Sequence, residues 1–162
     1  MAGEPLAYFL TWTTYGTWLP GDTRGWVDRD EAEIQPANPR LEASAKSRMQ
    51  EPPFRLMAAE RQIVEETIRA HCKIRGWELL AVSCRSNHVH VVVAANRKPD
   101  EVMNQFKSWC TRKLKEANPH SNRVHRWTRD GSTRYLNRQG EVDAAVLYVR
   151  EGQDKAHLRK RK

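Results

Sequence analysis

Trp77-Glu78-Leu79-Leu80-Ala81-Val82-Ser83-Cys84-Arg85-Ser86-Asn87-His88-Val89-His90-Val91-Val92-Val93-Ala94 is the stretch that organises this chain. Two apolar runs, Trp77 to Cys84 and His88 to Ala94, flank the short polar turn Arg85-Ser86-Asn87, which predicts a β-hairpin. On its N-terminal side Leu56, Ile63, Val64, Ile68 and Cys72 recur at helical spacing, predicting a helix from Leu56 to Arg75 that Gly76 ends. On its C-terminal side Pro99 to Ala117 reads as a second helix. Pro99 suits the first turn, Val102, Phe106, Trp109, Cys110 and Leu114 form an apolar stripe, and Asn118-Pro119 stops it.

Further out, Tyr8-Phe9-Leu10-Thr11-Trp12-Thr13 has strand composition. Arg126-Trp127-Thr128 and Arg134-Tyr135-Leu136 flank Asp130-Gly131, predicting a short terminal hairpin. Asp143 to about Glu151 is expected to be the last helix, with Val146, Leu147 and Tyr148 toward its buried side. The order predicts an α+β, ferredoxin-like (RRM-like) β-α-β-β-α-β arrangement, with an antiparallel sheet, helices on one face and an added C-terminal helix. Residues 1–154 are expected to form one domain. A long irregular insertion, rich in Gly and Pro, follows the first strand over residues 15–55, and residues 155–162 form a basic tail expected to be disordered.

Among 162 residues the formal net charge is +8, an excess that attracts polyanions. No apolar run approaches the roughly 20 residues of a spanning helix, so no membrane partner is expected. The start lacks the basic head and apolar stretch of a secretory signal. Cys72, Cys84 and Cys110 have no paired short spacing and read as reduced thiols of a cytoplasmic protein.

Residues two apart on a strand share a face, so His88 and His90 project together while Val89 and Val91 point the other way. Two adjacent imidazoles are a natural start to a divalent-metal site. Taken alone, the pair is equally compatible with surface histidines. Lys107, Arg112 and Lys113 fall on the polar side of the second helix and form a candidate phosphate-tracking patch with the tail. Arg134 is a further candidate phosphate contact. Trp18, Trp26 and Trp127 are candidates for stacking on unpaired bases, packing being the alternative.

His88-Val89-His90 resembles the His-hydrophobic-His signature of HUH nucleases. The wider chain is similar to single-tyrosine transposases of the insertion-sequence-200 type, especially the REP-associated branch. The similar segments are Tyr8 to Thr13 with Gly16-Thr17-Trp18-Leu19-Pro20-Gly21-Asp22, then Arg24-Gly25-Trp26-Val27. Trp127-Thr128 with Gly131-Ser132-Thr133-Arg134-Tyr135-Leu136 and Tyr148-Val149-Arg150-Glu151-Gly152-Gln153 complete the resemblance, which spans residues 8 to 154.

The resemblance implies cleavage and rejoining of single-stranded or hairpin DNA through a 5′-phosphotyrosine, with Tyr148 as nucleophile and His88 and His90 as ligands of Mg²⁺ or Mn²⁺. The family's third ligand, often Gln, stands four residues after the tyrosine. Gly152 occupies that place here, leaving Gln153 or Glu151 as candidates, with Gln153 preferred. The resemblance admits a monomer or a homodimer. A tyrosine acting within its own chain should lie within about 10 Å of the imidazoles, since ligand bonds are about 2 Å. The competing reading is a catalytically inactive DNA-hairpin-binding protein. A histidine-triad hydrolase is opposed by Val92, where a third alternating His would stand. An RNA-binding domain sits poorly with the paired histidines.

Overall fold

The computed structural model describes residues 4–27 and 33–152, so Gln153 and the basic tail lie outside the described residues. In chain order the elements are β1 (Ala7–Thr13), β2 (Trp26–Val27), β3 (Ile34–Gln35), α1 (Pro39–Ser47), α2 (Ala58–Arg75), β4 (Glu78–Cys84), β5 (His88–Ala94), α3 (Pro99–Ala117), β6 (Ser132–Leu136) and α4 (Gln139–Leu147). A π-helical turn, Tyr148–Gly152, continues α4.

The strands β4-β5-β1-β6 form a four-stranded sheet in that spatial order, antiparallel throughout. This is the expected ferredoxin-like arrangement. Strand β5 lies inside the sheet, and Val89, Val91, Val92 and Val93 are fully buried. Val89, Val91 and Val93 join Leu10 and Trp12 of β1, Val64 and Ile68 of α2, and Phe106 and Cys110 of α3 in the main core. Each such aliphatic side chain contributes on the order of 1.5–3 kcal/mol by leaving water.

Local chemistry sets the helix ends. The Glu60 carboxylate accepts the Met57 N–H at 3.0 Å, covering a donor that the first turn of α2 leaves open. Gly76 ends that helix at φ 72°, where a side chain would be strained. Asn38 caps α1 by accepting the Leu41 N–H at 3.2 Å, and Pro39 follows as its first residue.

Four expectations are corrected. The insertion is not wholly irregular, because it carries α1 and the β2–β3 ribbon. The terminal hairpin does not form: β6 pairs with β1, and Trp127 makes an isolated bridge to Thr14 instead. Gly131 runs against β1, where a Cβ would come within 2.6 Å of the Thr11 carbonyl. The carbonyls of Thr128, Arg129 and Asp130 are drawn inward by Lys107. The helices are not confined to one face: α2 and α3 cover one, and α4 with its π turn packs on the other through Val142, Ala145 and Val149. Finally, α4 begins at Gln139, and Leu147 and Tyr148 are exposed while Val149 is buried.

Candidate functional site

The second face of the sheet holds the polar residues of the central strands. Register places Thr11 opposite His90 and Thr13 opposite His88. The two imidazoles stand with centroids 4.7 Å apart and planes at 71°. Each ring is oriented by a neighbour. The Thr11 hydroxyl lies 2.7 Å from His90 Nδ1. Asn87 Oδ1 accepts from His88 Nδ1 at 2.8 Å, and the Asn87 carbonyl accepts the Thr14 N–H, tying the turn to the end of β1. Phe9 stacks on His90 at 5.5 Å, closing the apolar side.

Burial, then the neighbouring His88 and the Arg85 charge, push the His90 imidazole down to about 4. At neutral pH it is uncharged, the form whose lone pair can bind a cation.

Tyr148 completes this cluster within one chain. Its ring meets His90 edge-on at 5.7 Å and Phe9 at 6.1 Å. Tyr148, the first residue of the π turn, is half-exposed, while its neighbour Val149 is buried in the second apolar cluster with Val142 and Ala145. A β-bulge between Leu79 and Ala81 interrupts β4, and the Arg150 guanidinium donates to the Leu80 carbonyl there at 3.3 Å. The nucleophile candidate is thus held by packing on one side and a hydrogen bond on the other. A cleft of about 540 Å³ opens beside it, lined by Phe9, His90, Arg134, Glu141, Ala144 and Tyr148. Arg134 projects from the β6 edge of this cleft, with its guanidinium 3.9 Å from Glu141.

Among the described residues no group of three His, Cys, Asp or Glu side chains gathers as a metal site, so Glu151 does not complete one with the histidines. The preferred third ligand, Gln153, lies outside the described residues.

The structure separates the other candidates. Lys107 is buried, and its ammonium donates to the carbonyls of Thr128, Arg129 and Asp130 at 3.0, 3.3 and 3.3 Å, so it clamps a loop and does not reach out to phosphate. Arg112 and Lys113 are exposed on α3, on the sheet face away from the histidines, and both approach Glu116. Trp127 is packed: it meets Trp12 edge-on, and its indole N–H donates to Lys107 O and Thr111 Oγ1. Trp18 is exposed beneath the Arg24 guanidinium, 3.9 Å from its centroid, and Trp26 donates to Pro36 O. Sequence reasoning missed Thr11, Phe9 and Asn87. Strand alternation puts Phe9 and Thr11 on one face of β1, and the register makes that face the histidines' own.

The chain superposes on a REP-associated tyrosine transposase solved with a REP hairpin, at TM-score 0.54 and 12% identity over 96% of this chain and 71% of the other. A candidate transposase from Deinococcus radiodurans R1 aligns at TM-score 0.47 and 15% identity, over 93% of this chain and 92% of that one. No curated protein matches in sequence. Residues 54–151, spanning the histidine strand and Tyr148, match the model of the IS200-like transposases, and the chain belongs to that family.

Proposed function

We propose that this transposase is an HUH enzyme that cuts and rejoins single-stranded DNA through a 5′-phosphotyrosine on Tyr148, acting within its own chain. The observation that carries the reading is the 5.7 Å contact between the Tyr148 and His90 rings, with His88 beside them. Two oriented imidazoles are a donor set suited to Mg²⁺ or Mn²⁺, with Gln153 the candidate for a further oxygen. The ion, when bound, would polarise the phosphate oxygens and draw charge from the attacking phenol.

The chain's own residues then divide the work. Tyr148 Oη would form a bond to phosphorus as the bond to the 3′ oxygen breaks; the phenol gives up its proton and the leaving 3′ oxygen takes one, becoming the free 3′-hydroxyl. Thr11 and Asn87 keep the imidazoles aimed. Arg134, at the mouth of the cleft, is positioned to meet backbone phosphate. The covalent phosphotyrosine conserves the bond energy, so reversal joins strands without ATP. The hairpin carried by the REP-associated neighbour makes a foldback DNA the first substrate to try. No described helix is long and apolar enough to cross a membrane, and a cytoplasmic location suits a DNA substrate.

The test is covalent capture of hairpin oligonucleotides with single-stranded flanks, in Mg²⁺ or Mn²⁺. Wild-type protein should form a denaturation-resistant adduct, and Tyr148→Phe should form none while binding the same DNA. Mixing Tyr148→Phe with His88→Ala should restore nothing if phenol and imidazoles serve the same chain. Binding without any adduct in the wild type would favour the inactive hairpin-binding reading.

A further inference from the structure

We propose that Arg85 is a phosphate-binding residue of the strand-transfer site, its guanidinium taking non-bridging oxygens of the phosphodiester that Tyr148 attacks. The proposal rests on the strand-transfer reading above and assigns a residue to it. The Arg85 N–H donates to the His88 carbonyl at 2.8 Å, closing a hairpin with only Ser86 and Asn87 at its tip. The paired register Ser83 with His90 and Cys84 with Val89 therefore continues to Arg85 with His88. Directly opposed residues of an antiparallel pair project to the same face, with Cβ atoms about 5 Å apart. Arg85 thus rises beside His88 on the imidazole face, and its Nε is shut off from solvent.

A tight turn asks for small or polar residues at its tip and makes no demand for arginine at its base. A fixed cation beside two imidazoles works against a second cation there unless an anion lies between them. A phosphodiester supplies one, because it can bridge a metal ion and a guanidinium. The planar fork of arginine matches two phosphate oxygens at once. Arg85 on the β4 side and Arg134 on the β6 side would then flank the DNA backbone across the sheet.

The experiment compares wild type, Arg85→Gln and Arg85→Lys on a pool of hairpin oligonucleotides with randomised single-stranded flanks. Affinity is measured against salt in EDTA, Mn²⁺ binding by calorimetry, and adduct formation in Mg²⁺. Arg85→Gln should weaken DNA binding about 5-fold and flatten the log–log salt slope by about 0.7. It should keep or tighten Mn²⁺ binding, because a neighbouring positive charge has gone. Adduct formation should slow about 100-fold, as when one preorganised donor to a developing charge is lost. Arg85→Lys should restore the slope and only part of the rate.

Unchanged affinity and slope in Arg85→Gln would overturn the proposal. So would joint loss of Mn²⁺ binding and of the thermal transition, which would mark Arg85 as structural. If wild type forms no adduct, the strand-transfer reading falls, while the salt slope still decides whether Arg85 meets phosphate.

Discussion

The Thr11 hydroxyl stands 2.7 Å from Nδ1 of His90 on the neighbouring strand, so a residue of β1 aims a side chain of β5. Under the proposed metal-bound reading, this contact fixes which nitrogen faces the ion. Thr11→Val keeps the shape and removes the hydroxyl. The expected outcome is a loss of Mn²⁺ affinity of roughly 10–100-fold, typical of such outer partners, against a stability change of only about 1 kcal/mol. Calorimetric titration beside a thermal melt checks it. A variant that binds Mn²⁺ like wild type would remove Thr11 from the site.

Lys107 gives a different expectation. Burial lowers its pKa, yet its ammonium gathers the carbonyls of Thr128, Arg129 and Asp130. Lys107→Met retains most of the apolar stem and leaves three acceptors without their donor. Urea denaturation should show a loss of about 1–3 kcal/mol. Hairpin affinity, measured where the variant is folded, should stay within about twofold of wild type, as befits a loop clamp that never meets phosphate.

Acid should loosen the tie between the insertion and the segment before Trp127. Partial desolvation works to raise the Glu51 pKa, but the backbone N–H groups of His125 and Val124 outweigh it and hold the carboxyl below its ordinary 4.5. A depressed folded-state value stabilises above the unfolded pKa and loses that contribution as pH falls through the folded one. The stability advantage of wild type over Glu51→Gln should therefore be complete near neutrality and shrink below about pH 4.5. Paired thermal melts from pH 7 to pH 3.5 would show it, and a gap that stays constant would contradict the assignment.

The three thiols should be inert. Burial pushes Cys72 and Cys84 up to about 12 and raises Cys110 further, leaving almost no thiolate at neutral pH. Iodoacetamide at pH 8 should leave the native protein unmodified and label Cys72, Cys84 and Cys110 after denaturation, as read by mass spectrometry. Rapid native labelling of any of them would show that the core opens there.

Local signals made much of the architecture legible. The strand His88–Ala94 and the helix Pro99–Ala117 lie where apolar patterning and the Pro99 and Asn118-Pro119 boundaries placed them. The histidine pair and Tyr148 were found from strand alternation and the resemblance at the C-terminal turn, and they do converge. Non-local competition hid the rest. Asp130-Gly131 carries the usual hairpin signal, but Lys107 and β1 claim that segment, from 23 residues away for Lys107 and Asp130. Helix α1 was concealed because Pro39 counted among the glycines and prolines that interrupt the insertion, although with Asn38 it makes a cap and first turn. The inward face of the last helix is set by Val142, Ala145 and Val149 at ordinary helical spacing, which turns Leu147 and Tyr148 outward; taking Val146 and Leu147 as the apolar stripe missed this phase.

The tip of the β4–β5 hairpin has a consequence for how these molecules become chemically competent. With only Ser86 and Asn87 there, strand pairing has one comfortable alignment, and a slip of a single residue would exchange the two sides of the strand. Val89, Val91 and Val93 would then leave the main core, and the imidazoles would face Ile68 and Phe106. Misaligned chains are therefore unstable and, under the proposed strand-transfer reading, unequipped: the event that completes folding would also install the chemistry, and no half-folded form would nick DNA at random.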